Sequence, residues 1–377
     1  MGRGDGWWVL RAVAGLRVAF DVGGGIAYEG GMGMWIWLIA SVLVAGPVVA
    51  EAPRSLLDEL PAGALRDGEN QFLTLNIEND NFGGDSDRHY TSGVRLNYFD
   101  LRAQPPLWAE RVAELVPMFA GGERLGGGYG GGHNLYTPDD IGVAAPQAGQ
   151  RPWAALLYGS VGLVGVQGRH VDELELTAGV VGPWAMGEFV QKTIHSAMDV
   201  RQPQGWDNQL HNEPVLGLAW QRRWPNLYRW SNDAWNFAVE PSAGVTLGNA
   251  YTYGAGGLAV KFGPLNARFQ DSPVRVAPAM PGTGFYARPT DDAWASWFVF
   301  ASANGRVMAR NIFLDGNTFD GETPRVDRRW LVGDLNAGVA VSLGRARVSY
   351  ALVSRSREYF GQPEGDVFGV LNFGYRF

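Results

Sequence analysis

The chain has 377 residues, of which 46% are hydrophobic and 18% charged, with 53 glycines, 15 tryptophans and no cysteine. A mean hydropathy of -0.12 excludes a bundle of membrane-spanning helices. The lack of cysteine excludes a disulfide framework and a thiolate zinc site, and 31 basic against 38 acidic residues argue against nucleic-acid binding. Low charge with abundant glycine and aromatic residues is typical of a β-barrel.

The first predicted element is a leader that ends near Ala50. The apolar run over residues 35–49 is short for a spanning helix, and Val48 and Ala50 match the small residues of a signal-peptidase site. The nearest upstream basic residues are Arg11 and Arg17. Either these form the basic flank, or the true start is Met32 or Met34, which we favour; an N-terminal anchor helix is the alternative. The predicted domains are a leader over 1–50 with its signal peptide over about 32–50, a short periplasmic segment over 51–70, and a barrel over 71–377.

The rest of the chain contains segments in which apolar and polar residues alternate. At the C-terminus, Phe373, Tyr375 and Phe377 share one face of a predicted strand, and Asn372 and Arg376 share the other. This pattern is typical of a wall between lipid and a polar lumen, with a soluble sandwich as the alternative. Turn residues separate similar segments, at 72–78, 90–99, 153–166, 171–181, 215–222, 235–247, 251–262, 294–313, 330–343, 348–355 and 367–377.

These segments predict an all-β fold, a transmembrane antiparallel β-barrel of about 12 strands with short helices in its loops. Single-chain bacterial barrels have even strand numbers, and an open edge in lipid leaves backbone groups unpaired. Helical spacing of apolar residues predicts the helices over 107–119 and 185–199, and the glycine-rich residues 121–132 predict a flexible loop. Many tryptophans near strand ends are assigned to the membrane–water boundary, at 153, 206, 220, 224, 230, 235, 294, 297 and 330.

Polar residues cluster on both sides of the first predicted turn. Asn79 and Asp80 end the first strand, and Thr91 opens the second, so a strand–loop–strand unit brings them to one rim. Carboxylate, amide and hydroxyl oxygens suit a hard cation such as Ca²⁺. The alternative is a polar hairpin loop without a ligand.

The second predicted helix carries a polar stripe. Gln191, His195 and Asp199 lie four residues apart and therefore share one side of the helix. An imidazole titrates near neutral pH, so His195 is a candidate general base; the alternative is a solvated histidine on a loop helix. The chain has no Gly-x-Ser-x-Gly elbow and so no assignable serine triad.

With these residues noted, the chain resembles the LpxR-type lipid A deacylase family. The resemblance rests on several blocks in one order, which together with the last strand cover nearly all of the chain after the leader. The blocks are IENDNF (77–82), DRHYTSGV (87–94), RPWAALLY (151–158), QKTIH with PQGWDNQLHNEP (191–214), and ARNIFLDGNTF (309–319).

The resemblance implies a twelve-stranded outer-membrane barrel that removes the 3′-linked acyloxyacyl group from the lipid A of lipopolysaccharide. It implies a Ca²⁺ site at Asn79, Asp80 and Thr91, and catalytic roles for these residues together with Gln191 and His195. His195 then takes a proton from water while Ca²⁺ stabilises the oxyanion. The terminal phenylalanine, at position 377, resembles the signal read by the barrel-assembly machinery, and outer-membrane lipids are the other implied partners.

The sequence departs from the family pattern at two places. The best-characterised member has an acidic cation ligand six residues after the histidine, where this chain has Arg201, and a basic pair where residues 139–146 have no lysine or arginine. Candidates for the missing carboxylate and the missing positive charge are Asp199, Asp207, Glu213, Arg88 and Arg151. These departures leave open a non-catalytic barrel that acts as a pore or binds lipid, and an outer-membrane phospholipase is a further alternative.

Overall fold

The computed structural model describes residues 9–11, 17–19, 71–82, 89–101, 103, 106–119, 124–267 and 294–377. In the N-terminal unit, Met1–Val49, the three-residue strands Val9–Arg11 and Arg17–Ala19 pair antiparallel. The predicted signal peptide, its cleavage site at Ala50 and the segment over 51–70 lie outside the described residues. The boundaries of the leader and of the periplasmic segment therefore stay predictions.

The second unit, Ala50–Phe377, contains twelve long antiparallel strands, each paired with the next. The last strand also pairs with the first, with Gly369 opposite Asn79, so the sheet closes. This confirms the predicted fold. The strands are β1 Gln71–Asn79, β2 His89–Asp100, β3 Arg124–Thr137, β4 Ala154–Gln167, β5 His170–Val181, β6 Glu213–Arg223, β7 Trp235–Gly248, β8 Tyr251–Pro264, β9 Ala295–Asn311, β10 Leu331–Leu343, β11 Ala346–Arg355 and β12 Asp366–Arg376, and a four-residue strand, Tyr228–Ser231, pairs with β7.

The two rims of the barrel differ in what they carry. At the terminal rim, the first and last strands meet, with the Gln71 backbone N–H donating to the Phe377 carbonyl at 3.2 Å. At the opposite rim, which we call the site rim, β1 ends at Asn79 and β5 ends at Val181. The loops over 138–153, 182–212, 312–330 and 356–365 also lie at the site rim, because they join strands that end there.

Strand β3 corrects one prediction, because the glycine-rich residues 121–132 were expected to form a flexible loop. A Cβ on Gly130 would come within 2.7 Å of the Arg95, Asn97 and Ser160 side chains, and one on Gly132 within 2.5 Å of the Tyr158 hydroxyl. The glycines therefore make room for large polar side chains of the neighbouring strands. A lack of side chains here reflects crowding in the lumen, not a loop.

Charged and aromatic side chains fill the lumen. Arg95 pairs with Glu175 at 3.0 Å, and Lys261 pairs with Glu240 at 3.0 Å. Near the site rim, Phe313 stacks on Tyr136 with ring centroids 4.0 Å apart. Within the described residues the interior thus carries paired charges and stacked rings.

The outer face of the sheet is apolar, as the alternation predicts. On β12, Phe373 and Tyr375 are exposed, whereas Phe368, Val370 and Arg376 are buried. The burial pattern confirms that one face of this strand is presented to the surroundings and the other to the lumen.

In the part of the chain that the structure describes, three α-helices lie in the loops: α1 Leu107–Glu114, α2 Gly187–Met198 and α3 Ile312–Asp315. The first two fall within the helical segments predicted from sequence, and both are shorter than predicted. No helix in the described part of the chain is both long and apolar enough to cross a membrane.

Candidate functional site

Helix α2 rests on the outer wall of the barrel at the site rim. A Cβ on Gly187, its first residue, would lie 2.5 Å from the Ala155 Cβ and 2.5 Å from the Trp206 ring. Ala154 and Leu156 belong to the lumen cluster, so alternation along β4 places Ala155 on the outer face. The glycine is what allows the helix to begin in contact with the sheet.

Gln191 lies in the contact between α2 and the loop that follows it. Its side chain is only 1% exposed, and its Oε1 accepts a hydrogen bond from the Trp206 Nε1 at 2.9 Å. An indole nitrogen can only donate, so this bond fixes which end of the amide faces the tryptophan. The other end, Nε2, is buried and has no hydrogen-bond partner among the residues that the structure describes.

His195 is one helical turn further along and is 7% exposed. Its Nδ1 lies 2.5 Å from the backbone carbonyl oxygen of Arg201. A carbonyl only accepts, so Nδ1 carries the hydrogen, and Nε2 of the neutral ring is then the basic nitrogen. The loop after α2 thereby sets both the orientation and the tautomer of the imidazole.

Asn79 and Asp80 lie at the same rim, at the end of β1. Asn79 pairs with Ser92, Ser92 with Leu135, and Leu135 with Ala155, so one row of the outer wall links Asn79 to the strand beneath α2. Neighbouring strands are about 4.8 Å apart, which puts Asn79 and Ala155 about 14 Å apart along this row. Asp80 begins a short turn and is 3% exposed.

Thr91 lies where β2 departs from regular pairing. Tyr90 pairs with Tyr136 and Ser92 with Leu135, so Thr91 is the extra residue of a bulge, a device that redirects the chain near sites. Its side chain and the whole of Arg88 lie outside the described residues.

The predicted cation ligands are all oxygen donors of the kind that Ca²⁺ takes, so the donor set fits a hard cation. Among the described residues, no three His, Asp or Glu side chains group to hold a metal ion. A cation here would therefore depend on Asn79, Asp80 and Thr91 with backbone or water oxygens.

Two of the residues considered as replacements for the missing carboxylate and the missing positive charge, Glu213 and Arg151, bind other parts of the protein. Glu213 accepts hydrogen bonds from Asn317 Nδ2 at 3.1 Å and from the Thr318 backbone N–H at 2.7 Å, which ties two site-rim loops together. Arg151 is buried and pairs with Glu358. Burial raises the pKa of the Glu358 carboxyl, but Arg151 and Arg355 lower it more, so this pKa falls below its ordinary value.

The remaining candidates lie near α2. Asp199 ends the helix in the left-handed conformation, with φ of 54°, and Asp207 is exposed in a turn. Arg201 points its guanidinium at Asp140, with 2.9 Å between the paired atoms, and is 64% exposed. The position where the family has a carboxylate thus pairs here with a carboxylate of the loop over 138–153.

The aromatic prediction is wrong for two tryptophans. Trp153 and Trp206 are buried, with ring centroids 5.1 Å apart, so their rings pack against protein beneath α2 and do not contact the membrane. Trp294 and Trp330 are exposed near strand ends, as predicted. The sequence signal for Trp206 was its place in the family-like block GWDN, but its contact with Gln191 depends on tertiary packing.

Comparison with known proteins places the chain among outer-membrane barrels. A family model described as "Outer membrane protein LpxR" matches residues 36–377. Among solved structures, LpxR from Salmonella typhimurium is similar with 18% identity and a TM-score of 0.65, over 81% of this chain and 100% of that one. The β domain of the Bordetella autotransporter BrkA has 13% identity and a TM-score of 0.38, over 82% and 99% of the two chains. No curated protein matches.

Proposed function

The chain belongs to the LpxR family of outer-membrane proteins, and on that premise we propose that it is a lipid A 3′-O-deacylase. The substrate is the lipid A of lipopolysaccharide, and the reaction is hydrolysis of the ester that links the 3′ acyloxyacyl group to the sugar. The observation that carries the proposal is the pair Gln191 and His195, both buried on the helix that rests on the outer wall of the barrel. A site on the outer wall adjoins membrane lipid directly.

The orientation of the barrel supports this substrate. Because the number of strands is even, the start of β1 and the end of β12 lie at the same rim, the terminal rim. A barrel that inserts from the periplasm keeps that rim on the periplasmic side. The site rim then lies in the outer leaflet, where lipopolysaccharide is the lipid.

His195 is proposed as the general base. Its Nε2 takes a proton from water, the water oxygen bonds to the carbonyl carbon, and the bond from that carbon to the sugar oxygen breaks. The imidazolium returns the proton to the sugar oxygen, so the products are a fatty acid and a free 3′ hydroxyl. The Arg201 carbonyl supports this role because it holds the proton on Nδ1.

Gln191 is proposed to donate to the ester carbonyl oxygen. The Trp206 indole occupies its Oε1, so its unpartnered Nε2 is the end presented to a substrate. A buried donor that is already oriented stabilises negative charge as it develops on that oxygen.

Ca²⁺ is proposed as the cofactor, held by Asp80 with Asn79 and Thr91. When bound, it supplies positive charge that stabilises the oxyanion. The buried carboxylate of Asp80 and the all-oxygen donor set support this assignment.

Mass spectrometry of lipid A tests the proposal. Lipid A from a host that expresses the chain should lack the mass of the 3′ acyloxyacyl group, and lipid A from a host that expresses His195→Ala should keep it. His211→Ala is the matched control, because His211 is exposed at the same rim and pairs with Asp320 at 2.6 Å. Unchanged lipid A in the presence of folded wild-type protein contradicts the proposal, and release of acyl groups from glycerophospholipids instead would identify a phospholipase.

One observation favours a second candidate, a barrel that binds the same lipid without hydrolysing it. Arg201 replaces the carboxylate found in the best-characterised member, and its side chain pairs with Asp140. EDTA separates the candidates, since it should stop acyl release by a Ca²⁺-dependent hydrolase, whereas a binding protein releases nothing before or after treatment.

A further inference from the structure

Helix α1 also lies on the outside of the barrel, but at the end away from the site. Its buried residues Ala109 and Ala113 pack against Leu163 of β4 and Leu174 of β5. Glu175 points into the lumen, where it pairs with Arg95, so its neighbour Leu174 faces outward. The helix therefore covers part of the outer wall near the terminal rim.

Beneath α1, the outer face of the wall changes from polar to apolar between one outward-facing residue of a strand and the next. On the outer face close to the terminal rim, Asp172 pairs with Arg222, whose Nε lies 2.8 Å from the carboxylate. Two residues further from the rim, Leu163, Leu174 and Trp220 form one apolar row. Arg222 also donates to the Met118 carbonyl at 2.9 Å, which fixes the chain after α1 at this transition.

The spacing between the two external helices is comparable with the thickness of a membrane. Helix α2 contacts β4 at Ala155 and α1 contacts it at Leu163, eight residues apart. At about 3.3 Å per residue this is about 26 Å along the strand, which for strands tilted by about 35–45° is about 19–22 Å along the barrel axis, somewhat less than the apolar band of about 25 Å on outer-membrane barrels. Between the helices, Leu157 and Leu216 on the same wall are exposed.

The free side of α1 carries large apolar side chains. Leu107 is 75% exposed and Leu115 is 80% exposed, with Trp108 and Met118 beside them. This surface continues the apolar wall at the level where the wall turns polar, and a helix at such a boundary buries its apolar side chains among lipid headgroups and acyl chains.

We propose that α1 is a membrane-interface helix that binds the phospholipid leaflet at the terminal rim. The occupant of its exposed face is the phospholipid surface itself, and the inference does not depend on deacylation. Together, α1 and α2 mark the two boundaries of the membrane on one side of the barrel.

Spin labels test this directly, because the chain has no cysteine and every introduced one is unique. Leu107→Cys and Leu115→Cys are labelled in the full chain, which is reconstituted in vesicles of phosphatidylethanolamine and phosphatidylglycerol. Collision with oxygen, which concentrates in lipid, is compared with collision with a water-soluble nickel chelate. Leu216→Cys on the exposed wall is the lipid reference, and Glu322→Cys on an exposed site-rim loop is the aqueous reference.

Both labels on α1 should give a ratio of oxygen to nickel collisions close to that of Leu216→Cys and well above that of Glu322→Cys. A ratio equal to the aqueous reference would overturn the proposal, because the helix would then lie in water. Protection from both reagents would overturn it as well, because another part of the protein would then cover the helix. Two separate labelled positions keep the test valid when one variant fails to insert.

Discussion

One carboxylate in the lumen and one amide beneath α2 are both buried, and these two groups differ in how completely they are bonded. In the lumen, each carboxylate oxygen of Asp334 accepts two hydrogen bonds, one from Arg306 and one from Arg355, at 2.9–3.1 Å. Under α2, Gln191 uses its oxygen and leaves its nitrogen without a partner. Complete bonding stabilises a structure, whereas an oriented donor without a partner is available to a ligand.

The largest effect is expected from His195→Ala. Loss of a general base should lower the rate of acyl release by about 10²–10⁴-fold, measured as fatty acid formed per unit of purified protein. His211→Ala should retain the wild-type rate. Equal losses in the two variants would mean that the rim as a whole had been disturbed, and the contrast between lumen and outer wall would fail.

Asp334→Ala should affect stability far more than catalysis. Removing this carboxylate takes away the buried acidic partner that Arg306 and Arg355 share, which costs about 3–5 kcal/mol. The measurement is the urea midpoint of the barrel in lipid, followed by the rate of acyl release at low urea. A lower rate of acyl release at low urea together with an unchanged urea midpoint would contradict a structural role for the lumen.

Trp206→Phe sharpens the comparison at a single hydrogen bond. The ring is retained, but Gln191 loses the donor that orients its amide, and a bond of about 0.5–1.5 kcal/mol corresponds to a rate loss of roughly 2- to 12-fold. Trp153→Phe is the matched control, because it changes the neighbouring buried indole while leaving the bond to Gln191 in place. Similar losses in both variants would attribute the effect to packing alone.

Acid should weaken the contact between two site-rim loops that depends on Glu358. Its pKa lies below the ordinary value in the folded chain, so its ion pair with Arg151 contributes stability above the unfolded pKa and loses it as the pH falls toward the folded one. The free energy of unfolding, measured across this pH range, should depend less on pH in Glu358→Gln than in the wild-type protein. An unchanged profile in that variant would assign the acid sensitivity to other carboxylates.

The smallest effect is expected from Arg201→Ala. His195 uses the backbone carbonyl of residue 201, which alanine keeps, and the lost pair with Asp140 is exposed and worth less than about 1 kcal/mol. Rate and urea midpoint should both stay near wild type. A large loss of rate would show that the guanidinium itself takes part in the site.

Sequence alone predicts the barrel well because alternation with period two requires no knowledge of distant contacts. It also predicts that Asn79, Asp80 and His195 share a rim, since strand order fixes which loops lie together. It misses β3, where glycines are needed because large side chains on the neighbouring strands occupy the space. It also misses Trp206 and the Arg201 carbonyl, because both act through contacts made after the loop folds back on α2.

Acyl release in water enriched in ¹⁸O tests the central claim most directly. If His195 activates water against the ester carbonyl, the fatty acid released from purified lipid A should carry one ¹⁸O and the sugar hydroxyl none, and His195→Ala should form both products about 10²–10⁴-fold more slowly. Fatty acid without the label, or labelled fatty acid formed equally fast by His195→Ala, would contradict water attack driven by this imidazole.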